Sequence, residues 1–124
     1  MSAEPIEFSV DGVRFRMVML GGVEARGLAL RVLRMLGPAA GGLASPDAAS
    51  AGTMLGILAN VSEDDLNAVA DALGKVTEMQ VEPGSDKWRA LTRDAQNVLF
   101  RGRLKLQFGW LGQAIRGQLA DFFG

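Results

Sequence analysis

The side chains that could carry out catalysis in this chain are few, and they lack partners. Ser9, Ser45, Ser50 and Ser85 offer hydroxyls, but the chain contains no His, no Cys and no Tyr. A serine becomes a nucleophile only beside a base, most often His, and no spacing here argues for a Ser–Lys pair. Losing His and Cys also removes the commonest ligands for zinc and related metals and excludes disulfides. The densest acidic run, Glu63-Asp64-Asp65, lacks the alternation and the glycine of a calcium loop. With Ser62 in front, it reads as a capped helix start whose acids face the positive end of the helix dipole.

Phosphate and nucleotide motifs fail on the same close reading. Gly74-Lys75 has Val69 where a P-loop needs glycine and Val76 where it needs a hydroxyl. Gly21-Gly22 and Gly41-Gly42 lack the dinucleotide fingerprint, and the Asn60-Val61-Ser62 sequon has meaning only in a secreted protein. The expectation is therefore no catalytic residue, no cofactor and no metal, with a small enzyme the weakest of the functional alternatives.

Such a chain must work by binding, and its composition allows it to fold. At 124 residues, 48% hydrophobic and 22% charged, it can bury a core as one domain spanning 1–124. A net charge of −1 gives no footprint for nucleic acid. Charge is nevertheless uneven: residues 62–86 are acidic and 89–116 basic, which suits either two solvated faces or electrostatic complementarity with a copy or partner. The N-terminus lacks the pattern of a secretory signal. The weakly charged run from Arg34 to Glu63 is broken by Gly37, Pro38, Gly41, Gly42 and Pro46, so no membrane span is expected and the plain reading is soluble and intracellular.

The elements follow from periodicity. In residues 1–20, Ile6, Phe8 and Val10 alternate with polar positions, Asp11-Gly12 favours a tight hairpin turn, and Val13, Phe15 and Met17 alternate with Arg14 and Arg16. A hairpin alone is marginal and needs a helical layer or a neighbouring chain to cover it. A helix over 23–36 places Ala25, Leu28, Ala29, Val32, Leu33 and Leu36 on one face and stops at Gly37-Pro38. Residues 37–49 read as a flexible small-residue loop. The part from 50 to 124 reads as helical: an all-round apolar helix to Asn60, a helix capped by Ser62, and a last helix from Thr92 onward with a break near Arg101-Gly102. Short extended pieces at Thr77–Val81 and Trp88–Leu91 could form a second small hairpin. The fold class expected is α+β, an N-terminal β-hairpin on a bundle of about four helices.

The last helix carries two apolar faces. Phe100, Leu104, Phe108, Leu111, Ile115, Leu119 and Phe122 form the main stripe, expected to be core. Leu99, Leu106 and Trp110 form a narrower second stripe, with Gly102, Gly109 and Gly117 beside it. Each glycine costs the helix about 1 kcal/mol relative to Ala and leaves room for a close neighbour. The second face is either buried internally or open to a partner. The candidate protein-binding residues are therefore Leu99, Leu106, Gly109, Trp110, Gly117, Phe122 and Phe123.

The order of these segments resembles a known family. FSVDGVRFRMVML runs into ARGLALRVLRMLGPAAGGL, then SEDDLNAVADAL, and the chain closes with FRGRLKLQFGWLGQAIRGQLADFFG. This pattern is similar to the tail assembly chaperones of long-tailed bacteriophages and prophages. The resemblance implies a non-catalytic protein that binds the tape measure protein, keeps it soluble for tail tube assembly, and is absent from the mature virion. It also implies self-association as a homo-oligomer and a place in the host bacterial cytoplasm. The alternative from another class is a structural virion protein, a tail completion or connector component.

Overall fold

Asp11 and Gly12 both take positive φ, 47° and 83°, as a two-residue hairpin turn requires. In the computed structural model, which describes residues 5–44 and 50–120, this turn joins β1 (Ile6–Val10) to β2 (Val13–Met17). The strands are antiparallel, with Ile6 opposite Met17, Phe8 opposite Phe15 and Val10 opposite Val13. The expected apolar face is therefore real; the Phe8 and Phe15 rings stack at 5.5 Å. Glu7, Ser9, Arg14 and Arg16 occupy the other face, where Arg14 pairs with Glu7 at 2.9 Å.

The hairpin does not stand alone. β3 (Thr77–Gln80) adds to the free edge of β2, and β4 (Trp88–Ala90) adds to β3, giving a four-stranded antiparallel sheet in the order β1-β2-β3-β4. Phe15 faces Met79 and Met17 faces Thr77, so the apolar face continues onto β3. On the polar face Arg16 donates to Glu78 at 2.8 Å and lies 4.4 Å above the Trp88 ring. These cross-strand pairs fix the register between segments far apart in sequence.

The helices start and stop where their capping chemistry dictates. α1 (Gly22–Leu36) ends at Gly37, whose φ of 53° and N–H bond to the Leu33 carbonyl close it before Pro38. Leu28, Val32 and Leu36 are buried as expected, but Leu33 is exposed. The next segment differs from the loop expected there. Gly37–Ala44 is a 3₁₀ helix, anchored by Leu43 at 1% exposure; one large apolar side chain suffices to dock a run of small residues. The remainder of that loop, 45–49, lies outside the described residues.

α2 (Ala51–Leu58) is capped by Ser50, whose hydroxyl accepts from Thr53 N–H. It buries Met54 and Leu58 but leaves Leu55 exposed, so it is apolar all round without being buried all round. α3 (Glu63–Gly74) is capped by Ser62, which accepts from Asp65 N–H and donates to the Asp65 carboxylate. Thr92 caps α4 (Arg93–Leu99), and Gly102 at φ 68° breaks the chain before α5 (Leu104–Gln118). α5 is the hub. It packs against β1 on one side and against α2 and α3 on others, while α1 packs on α3 and the 3₁₀ segment.

Candidate protein-binding site

The choice left open for the last helix falls to internal burial over most of its length. Leu106 and Trp110 are both at 0% exposure. An alanine Cβ at Gly109 would stand 2.5 Å from Val10 Cγ1, and one at Gly117 would stand 2.8 Å from Met17 Cε. The hairpin therefore occupies the second apolar side of α5. The physical reason is the one that suggested a partner: glycines eight residues apart leave α5 without side chains where the sheet must approach. Trp110 instead stacks on Phe100 at 5.6 Å. Leu99 and Gly117 are half-buried, and Phe122 and Phe123 lie outside the described residues. The main stripe is also corrected at its start: Phe100, Leu111, Ile115 and Leu119 are core, whereas Leu104 is exposed.

Gln118 was missed by pattern reading, yet it holds the site's framework. Its amide oxygen accepts from Leu20 N–H at 3.0 Å and its amide nitrogen donates to the Val18 carbonyl at 2.9 Å. The side chain thus satisfies the irregular backbone between β2 and α1, where no strand or helix partner is available. No one-dimensional signal marks it.

The accessible apolar surface lies elsewhere, around α1. Val23, Leu30 and Leu33 project from its outer side, and Val18 and Met19 are exposed in the irregular segment between β2 and α1. Beside this ridge runs a groove between α1 and α3, about 490 Å³ in volume. Leu28 and Val69 belong to its lining and to the core; Gly27, Ala68 and Ala72 also line it, with Met19 and Val76 towards the sheet. Gly27 faces open space, since a Cβ built on it meets nothing within 4 Å. Sequence reasoning missed this groove; the one signal for it is a glycine inside a helical pattern that no internal packing requires.

The charges around the groove are asymmetric. Glu24, Arg31 and Lys75 line it, and Arg31 also lines an adjoining cleft of about 350 Å³ with Arg34, Met35 and Asp65. Arg31 donates to Asp65 at 3.2 Å, and Glu24 sits in the first turn of α1, where the helix dipole favours an acid. On the far side of α3, Arg93 donates to both Asp71 oxygens, and that hydrogen bonding, with the attraction of the carboxylate, raises its pKa. Among the described residues no cluster of acids is arranged to hold a metal ion, and no helix is long and apolar enough to cross a membrane.

The fold is organised around one central helix, with exposed apolar side chains and a groove at α1. The chain belongs to the family described as phage tail assembly chaperone protein, TAC, whose model matches residues 11–124. Neither a curated protein nor a solved structure matches it.

Proposed function

We propose that this protein binds the tape measure protein of its phage and keeps that long, aggregation-prone chain soluble in the host cytoplasm until the tail tube forms around it. Family membership supports a role in tail assembly. The observation that carries the client reading is the apolar ridge and groove at α1, accessible surface that the fold itself does not use. Proteins of this size rarely leave contiguous apolar surface uncovered unless it meets a partner. A concave, small-residue-lined groove suits a helical client held by few anchors, which allows later release.

The last helix contributes to this reading in a changed way. Gly109 lets the hairpin close on α5, and Leu106 and Trp110 are buried in the core. Leu99 in α4 and Gly117 in α5 remain candidate contacts, as do Phe122 and Phe123, and self-association into a homo-oligomer belongs to the same proposal. Co-expression with the tape measure protein tests it. The client should move from the insoluble to the soluble fraction and co-purify with this chain. A client equally insoluble with and without this protein would sink the reading. Purified virions should lack the chain by mass spectrometry; stoichiometric presence there would favour a structural tail component instead.

A further inference from the structure

We propose that the α1–α3 groove, together with the outer ridge of α1, takes an acidic amphipathic helix of about three turns, and that this is the segment of the client the protein recognises. The inference rests on the client-binding reading above and names its site and chemistry.

Shape argues for a helix. The groove runs beside α1 from Gly21 and Glu24 towards Arg31, and the adjoining cleft extends it to Arg34. Ten residues of helix from Glu24 to Arg34 span about 15 Å, or three turns. Gly27, Ala68 and Ala72 reduce its walls to backbone and methyl groups, which lets a second helix approach closely and insert an apolar side chain over Leu28 and Val69. Val23, at 68% exposure, and Leu30, at 54%, are exposed apolar side chains on the same helix and offer further anchors.

Charge argues for acids on that helix. Arg31 is committed to Asp65, and Glu24 faces the positive end of its own helix. Lys75 lines the groove at the sheet end and Arg34 lines the cleft at the other, and neither has an ion-pair partner among the described residues. Arg26, exposed on α1, is likewise unpaired. A groove with an apolar floor and unpaired cations at both ends is complementary to a helix with an apolar stripe and flanking carboxylates.

Gly27 makes the test clean. A Cβ there meets nothing within 4 Å and leucine improves helix propensity, so Gly27→Leu should keep or raise Tm while its side chain fills the groove. Co-purification of the full-length tape measure protein should fall at least tenfold, and hydrogen exchange of the wild-type complex should show protection within residues 22–36 and 66–76. Arg34→Glu with Lys75→Glu should weaken capture several-fold, and added salt should weaken wild-type capture in the same direction. Undiminished capture by Gly27→Leu, or protection confined to other segments, overturns the groove while leaving the chaperone reading intact. Normal capture by the charge variant overturns the acidic character of the client. If sedimentation shows that Gly27→Leu instead dissolves a wild-type oligomer, the occupant is a second copy of this chain and the inference fails. If wild-type protein captures no tape measure protein at all, the parent reading fails first.

Discussion

Alanine at Gly109 and alanine at Gly117 should have opposite effects, although both glycines lie on the same side of α5. Replacing a helical glycine gains about 1 kcal/mol of propensity at either position. At 109 the new Cβ would stand 2.5 Å from Val10 Cγ1. Val10 branches at Cβ and has little rotameric freedom to retreat, and its strand is pinned by pairing with β2. Overpacking of this kind costs about 1–3 kcal/mol, so the net effect is a loss of about 1 kcal/mol and a fall in Tm of about 3–6 °C. At 117 the contact is Met17 Cε at 2.8 Å. That is the free end of a flexible thioether, which moves cheaply, so Gly117→Ala should gain about 0.5–1 kcal/mol. Urea and thermal unfolding of both variants measure the difference. Adding Val10→Ala to Gly109→Ala should reveal a coupling of order 1 kcal/mol. If both alanines stabilise equally and Val10 shows no coupling, the hairpin does not press on α5 as described, and the second face of the helix is open after all.

Further predictions concern the same core. Trp110→Ala removes a fully buried indole stacked on Phe100 and should cost about 3–5 kcal/mol; a variant that unfolds at the wild-type urea midpoint contradicts its burial. Gly74→Ala would push a methyl group into the Leu91 carbonyl oxygen and the Gln96 amide. The backbone there cannot retreat cheaply, so the variant should lose about 1–3 kcal/mol by chemical denaturation, despite the gain in helix propensity. Gln118→Leu leaves Leu20 N–H and the Val18 carbonyl without their partner, a loss of about 1–3 kcal/mol. Its readout is faster amide exchange at Leu20, and unchanged exchange there would argue against the clamp.

The parts of the fold legible in the sequence are those set by local chemistry. Asp11-Gly12 fixes a turn through backbone sterics, Ser62 and Thr92 cap helices through hydroxyls three residues from an N–H, and Gly37 and Gly102 stop helices by taking positive φ. The illegible parts depend on elements that only tertiary structure brings together. Nothing near Met17 announces that Thr77 will pair with it. Nothing around Gly74 in sequence signals that the carbonyl of Leu91 passes close by. The two-faced pattern of α5 was read correctly, yet periodicity cannot tell a face covered by the chain's own sheet from one awaiting another protein. Angle alone places Leu33 and Leu104 with the core, but both are exposed: Leu33 sits at the edge of its stripe, and Leu104 is the first residue of α5.

The β1–β2 hairpin precedes its helical cover by most of the chain, which imposes an order on synthesis. Ile6, Phe8, Val10 and Val13 leave the ribosome well before Leu104–Gln118, the helix they rest on. At about 5–20 residues per second, the hairpin waits on the order of 5–20 s before α5 can be added. During that interval β1 and β2 present an apolar face and an unpaired edge, a state prone to sticking to other nascent chains. Crowded translation of this chain should therefore be more hazardous than refolding it when complete.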